Sequence, residues 1–266
     1  MWRRIGRWLS AVGVSGALAG CAVGPGPSVG GGESPPSGRI IDTRTGTPLT
    51  PAALVARLAE ADVVLLGERH DNPDHHAGQA FLYQALIDQG RRPALVMEML
   101  DQGQEAAIMA AQAAPESAAT ALAWEERGWP DFAWYAPVLR AAWTAGLPVT
   151  PGNLPRETIR AVVRAGQLPA GLDVSRPLPP QAQADLETEL RDSHCGMLPE
   201  ALLPGMVRAQ RVRDAVMAEA VLRHRPSVLI AGWGHTRRDR PDEQRFGQKI
   251  ADEVDRALDR ASQGKK

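Results

Sequence analysis

The sequence predicts an α/β fold, a single domain with a largely parallel central sheet flanked by helices. Three observations predict it. Four short runs are nearly continuously apolar and rich in Val and Leu: Ala61 to Gly67, Pro93 to Met97, Leu147 to Thr150 and Pro226 to Ile230. That is the composition of strands covered on both faces. Stretches with helical spacing alternate with these runs, the order that builds parallel sheets. Finally, ligand-type or polar residues follow every run: Glu68 and His70, then Glu98, then Asn153 and Arg156, then Trp233 and His235. Folds of this class collect their ligands at the carboxyl ends of strands.

The N-terminus comes first in chain order. Arg3, Arg4 and Arg7 precede an apolar run from Trp8 to Ala19. The run is too short to cross a bilayer as a helix, so residues 1–20 read as a cleaved signal segment. Leu18-Ala19-Gly20-Cys21 looks like a bacterial lipobox, which implies cleavage before Cys21 and its diacylation. More than one acyl chain anchors a protein stably. Ala22 follows the cysteine in place of an aspartate, which in such lipoproteins implies the outer membrane, on either its periplasmic or its surface side. Residues 21–38 would then be the lipidated cysteine and a flexible Gly/Pro/Ser tether. Residues 39–266 form the folded domain, with no internal repeat or second linker.

Within that domain, Asn72 caps a helix from Pro73 to Gln89, with Pro73 at its first position and Gly90 at its end. Further helices are expected over Asp131 to Ala145, Arg156 to Ala165, Pro180 to Asp192, Ala201 to Arg223 and Pro241 to Ala261. On the longest, Ala209, Val212, Val216 and Ala220 make a core stripe, while Gln210, Arg213 and Asp214 share another face and read as a solvated trio. Thirty basic against thirty-one acidic residues leave a net charge of -1. No global field therefore points to a nucleic acid.

The chemistry-bearing residues fall in a few places. Glu68 and His70 point to the same side of an extended segment. With Glu98 and His235 they could hold one divalent metal, or act as a base and its orienting partner. His75 and His76 lie in a first helical turn, whose partial positive charge favours the neutral imidazole that ligates metal or haem iron. The alternative is an exposed polar pair. "AGWGH", Ala231 to His235, carries Trp233 and His235 on a tight turn and is no phosphate loop. "SHCGM", Ser193 to Met197, offers imidazole, thiol and thioether, but lacks the CxxCH of covalent haem attachment. Either His194 is a ligand, or Cys195 is buried beside a satisfied histidine. Cys195 has no disulfide partner once Cys21 is lipidated. The stretch Trp124 to Trp143 holds four of the seven tryptophans and one of the two tyrosines. It could be core, or could line a flat apolar ligand with Tyr135 as a phenolate ligand to haem iron.

Taken in order, "LLGERHDNPDHH", "ALVMEM", "GNLPRE", "DSHCGMLPE", "MVRAQRVRDAVMA" and "LIAGWGH" resemble the ChaN family of bacterial haem-binding lipoproteins. That family is similar in fold to the TIKI metalloproteases and erythromycin esterases. The resemblance covers about residues 40 to 240. It implies a haem-binding lipoprotein in iron uptake, with two protomers meeting over haem and an outer-membrane haem receptor as a possible partner. The wider superfamily implies a Glu-x-His site at Glu68, His70, Glu98 and His235, and hence the alternative of a metal-dependent hydrolase. Haem-ligand candidates are His75, His76, Tyr135 and His194, with Trp233 against the ring.

Overall fold

The computed structural model describes residues 9–11, 38–172 and 174–236. Short extended segments come first: β1 (Leu9–Ala11), β2 (Ile40–Asp42) and β3 (Thr47–Leu49), the last two paired antiparallel. Helix α1 (Pro51–Ala59) follows, capped by the Thr50 hydroxyl, which accepts from the Ala53 N–H at 3.1 Å. The four Val- and Leu-rich runs then become β4 (Val63–Glu68), β5 (Ala94–Asp101), β6 (Val149–Asn153) and β7 (Ser227–Gly232). All pair in parallel, in the spatial order β4, β7, β5, β6, with β1 at the outer edge of β4. Leu9–Ala11 thus extends the sheet from within the segment read above as a signal. The rest of residues 1–20, Cys21, most of the tether and the helix expected over Pro241 to Ala261 lie outside the described residues.

The connecting helices are α2 (Pro73–Asp88), α3 (Glu105–Ala113), α4 (Ala118–Ala121), α5 (Phe132–Thr144), α6 (Arg156–Ala165), α7 (Pro180–Ser193), α8 (Leu203–Arg223) and the short α9 (Trp233–Thr236). Asn72 caps α2 as expected, its side chain accepting from the Asp74 N–H at 3.0 Å. The sheet divides the core by strand alternation. Val64, Leu66, Leu95, Met97, Val228 and Ile230 pack under α2 and α5, with Tyr83, Trp124 and Tyr135. Val63, Leu65, Val96, Leu229 and Ala231 face α8 through Met217 and Val221. Each fully buried Leu, Val or Met contributes about 1.5–3 kcal/mol.

Topology sets the position of the site. The chain passes from β4 through α2 to β5, leaving a gap between them, and β7 fills that gap last after α6, α7 and α8. The carboxyl ends of β4, β7 and β5 therefore lie side by side where the connections change direction, the place at which open α/β sheets bind ligands.

Candidate functional site

Glu68 is the last residue of β4 and fully buried. Its Oε1 accepts from the Tyr135 hydroxyl at 2.7 Å and lies 2.7 Å from His70 Nδ1. Its Oε2 stands 3.2 Å from His76 Nδ1, outside hydrogen-bond geometry. Glu98, inside β5, is also buried; its Oε2 accepts the Gly232 N–H at 2.7 Å. Glu98 Oε1 lies 3.5 Å from both His235 Nε2 and Arg213 Nη1, and Oε2 lies 3.8 Å from His70 Nε2. His235 Nδ1 is in turn 2.6 Å from Asp214 Oδ1. Five charged or imidazole groups, His70, His76, Arg213, Asp214 and His235, thus gather with the Tyr135 hydroxyl around two buried glutamates, drawn from the turn after β4 and from α2, α5, α8 and α9.

Local sequence explains how they converge. The chain turns after β4, with the Asn72 N–H donating to Arg69 O at 3.0 Å, which folds His70 back over the sheet edge. His70 can lie there because β7 ends in glycine: a Cβ on Gly232 would stand 2.9 Å from His70 Nε2. A Cβ on Gly67 would fall on the Thr236 hydroxyl, so that glycine lets α9 close against β4. Trp129 meets the edge of His70, with ring centroids 5.1 Å apart.

The charges follow from burial set against partners. Burial alone would raise the Glu68 carboxyl, but the hydrogen bond from His70, the close His76 imidazole and the hydrogen bond from Tyr135 overcome it and hold the group down at about 2. Glu98 is also held well below the usual carboxylate range, chiefly by His235, against a larger opposing burial effect. Burial would favour neutral His235, yet the charge of Glu98 and the bond to Asp214 raise it to about 10. His70 is raised by Glu68 and the charge of Glu98 against its own burial. The centre is therefore a set of compensated charges.

Glu68, His70, Glu98 and His235, which the sequence grouped, do come together. The metal expectation is corrected in one respect: among the described residues, no three His, Cys, Asp or Glu side chains are arranged to hold a metal ion. The carboxylate lone pairs face imidazoles, a hydroxyl and a backbone N–H. Tyr135 as a phenolate ligand is also overturned. It is buried and donates to Glu68, and burial together with that negative neighbour raises its hydroxyl far above the ordinary range. His75 and His76 are not an equivalent pair. His76 is buried, its Nε2 3.0 Å from the His70 carbonyl, while His75 is half-buried and accepts the Arg69 N–H on Nδ1 at 2.9 Å. Burial, then His76, lowers the His75 imidazole, in keeping with a neutral ring.

The aromatic stretch is mainly core: Trp124, Tyr135 and Trp143 are buried, with Trp129 and Trp134 half-buried. Trp233 stays 46% exposed at the end of β7. Cys195 is exposed, which removes the buried-cysteine reading, and the His194 ring is held at 2.7 Å from Leu190 O. The reading of Arg213 and Asp214 as a solvated pair fails. Asp214 is buried against His235, and Arg213 reaches Glu98. Val212, Ala215 and Val216 flank Asp214, an apolar arc wider than one core stripe and the signal that could have found it.

Fold and site together define an α/β protein with a compensated carboxylate–imidazole centre at the carboxyl edge of a parallel sheet. The chain belongs to the family described as "Haem-binding uptake, Tiki superfamily, ChaN", whose model matches residues 54–241. Among solved structures, one described as showing cofacial heme binding to ChaN of Campylobacter jejuni is similar in fold, with a TM-score of 0.68 and 23% identity. The match covers 82% of this chain and 86% of that one. A second, the type III effector HopBA1, is 16% identical with a TM-score of 0.41, over 73% of this chain and 78% of that one. No protein with a curated description matches the chain.

Proposed function

We propose that this protein is a cell-envelope lipoprotein that binds haem and takes part in haem uptake, anchored in the outer membrane through Cys21. The observation that carries the reading is the family match over residues 54–241, which spans every strand and helix of the site. Haem is a flat apolar ring with two carboxylates. The strand-end edge fits it from outside the closed charged centre: Trp233 is exposed, and Trp129 stands half-buried beside His70. Met197, 80% exposed on the turn after α7, adds a soft apolar side chain. Bound haem would supply an iron centre. The protein's part is to cover the ring, present a ligand atom and hold the charged centre rigid beneath.

The solved relative is described as binding heme cofacially, and by analogy two protomers here meet over their haems. A haemin titration of the purified protein, followed by Soret absorbance and by mass in solution, tests both parts. A saturable band with defined stoichiometry and a doubling of mass is expected. A spectrum that tracks only nonspecific adsorption sinks the haem reading.

One observation favours a second reading. His70 is oriented by Glu68 through Nδ1 and remains 36% exposed, the arrangement of a general base held by a carboxylate. A hydrolase built on it would lose activity in Glu68→Gln, whereas haem binding would survive that change.

A further inference from the structure

We propose that His194 ligates the haem iron through Nε2, presented by the turn that ends α7; this assignment rests on the haem-binding reading above. An iron ligand needs a lone pair that is reachable and not already committed. Both tyrosines of the chain fail. Tyr83 is buried and donates to Pro93 O at 2.8 Å, and Tyr135 is buried and donates to Glu68. His76 and His235 are buried with both ring nitrogens facing partners. His224 lies beyond the C-terminus of α8, at the amino end of β7, the opposite edge of the sheet. His75 accepts a backbone N–H on Nδ1, so its neutral ring carries the proton on Nε2 and has no lone pair to offer there. His70 has Nδ1 on Glu68, and its Nε2 lies against the β7 backbone at Gly232, 3.8 Å from Glu98 Oε2, so it faces the buried centre rather than the outer edge.

His194 is the reverse of His75. Its Nδ1 lies 2.7 Å from the Leu190 carbonyl, which can only accept, so Nδ1 carries the proton and Nε2 the lone pair. Ligating imidazoles commonly donate their other nitrogen to a carbonyl or carboxylate in this way. The turn beneath it is fixed. Gly196 N–H donates to Arg191 O at 2.8 Å and Cys195 N–H to Asp192 O at 2.9 Å, with Cys195 at φ 53 and Gly196 at φ 71. A non-glycine residue held in the left-handed region is a strained conformation of the kind found at ligand clamps. The turn is also placed at the strand-end edge. Glu189, little more than one helical turn earlier, packs against α9, where a Cβ on Gly234 would stand 2.9 Å from its Oε1. Met197 and Leu202, which follow His194 in the chain, are exposed, as is Trp233, which precedes Gly234.

Haemin titration of the purified protein and three variants tests the assignment. His194→Asn keeps a donor for Leu190 O while removing the ligand. It should lose the histidine-type ferric spectrum and bind haemin roughly tenfold or more weakly, with added imidazole restoring the band. Cys195→Ser and His224→Asn should keep the wild-type spectrum. The assignment is overturned if His194→Asn binds like wild type, or if the ligand signature disappears in Cys195→Ser or His224→Asn instead. If the wild-type protein gives no saturable Soret band, the haem reading itself fails, and the assignment with it.

Discussion

Asp214 shows how one side chain can decide the state of a site from a helix away. Its carboxylate holds His235 at 2.6 Å, and the charge of Glu98 favours the same protonated ring. Asp214→Asn would leave a buried imidazolium with one partner fewer. Breaking such a pair typically destabilises by about 3–5 kcal/mol, to be read as a lower urea midpoint at unchanged slope. Tyr135→Phe is the gentler contrast: it removes one donor from Glu68 and should lower stability by about 1–3 kcal/mol. Because that hydroxyl faces a carboxylate inside the protein, the haemin affinity of Tyr135→Phe should match wild type. A Tyr135→Phe protein whose Soret band shifts would return the phenol to the list of ligands. Tyr135 and Asp214 were misread from sequence for one physical reason. Neither residue type announces a buried partner, and both partners sit more than twenty positions away or on another element.

Elements were legible where their ends are written locally. Asn72 with Pro73 gave the start of α2, and Ala209, Val212, Val216 and Ala220 are the buried stripe of α8. Helices α1 and α3 were both missed, α3 because its run of alanines shows little contrast between faces, and α1 although Thr50-Pro51 writes its start locally. Strand β5 extends four residues past Met97, so Glu98 is held within a strand rather than in a loop after one. The end of α7 carries a prediction of its own. Cys195 occupies the left-handed position that glycine ordinarily takes after a helix, with Gly196 closing the loop back to Arg191. Cys195→Gly should therefore stabilise the protein by roughly 1 kcal/mol, seen as a small rise in Tm. An unchanged or lower Tm would mean that the thiol makes a compensating interaction at that turn.

At the scale of the molecule, the insertion of β7 between β4 and β5 cannot be read from any local pattern, since strand order is fixed by long crossings. It nevertheless determines that Glu68, Glu98 and His235 share one buried centre, and so how stability depends on pH. His235 binds its proton more tightly in the folded protein, at about 10 against an ordinary 6.5. That contribution is complete below 6.5 and is lost as pH rises through 10, because the unfolded chain releases its proton first. The two glutamates act with the opposite sign. Both are lowered, Glu68 to about 2 from 4.5, so their contribution is complete above 4.5 and is lost as pH falls toward 2. Stability should peak between about 4.5 and 6.5 and decline on both sides. Calorimetric Tm values across pH 3 to 10 check this, with Asp214→Asn expected to flatten the alkaline limb specifically. A wild-type Tm that stays level from pH 6.5 to 9 would show that His235 is not held protonated, and the centre would then be a neutral hydrogen-bonded network.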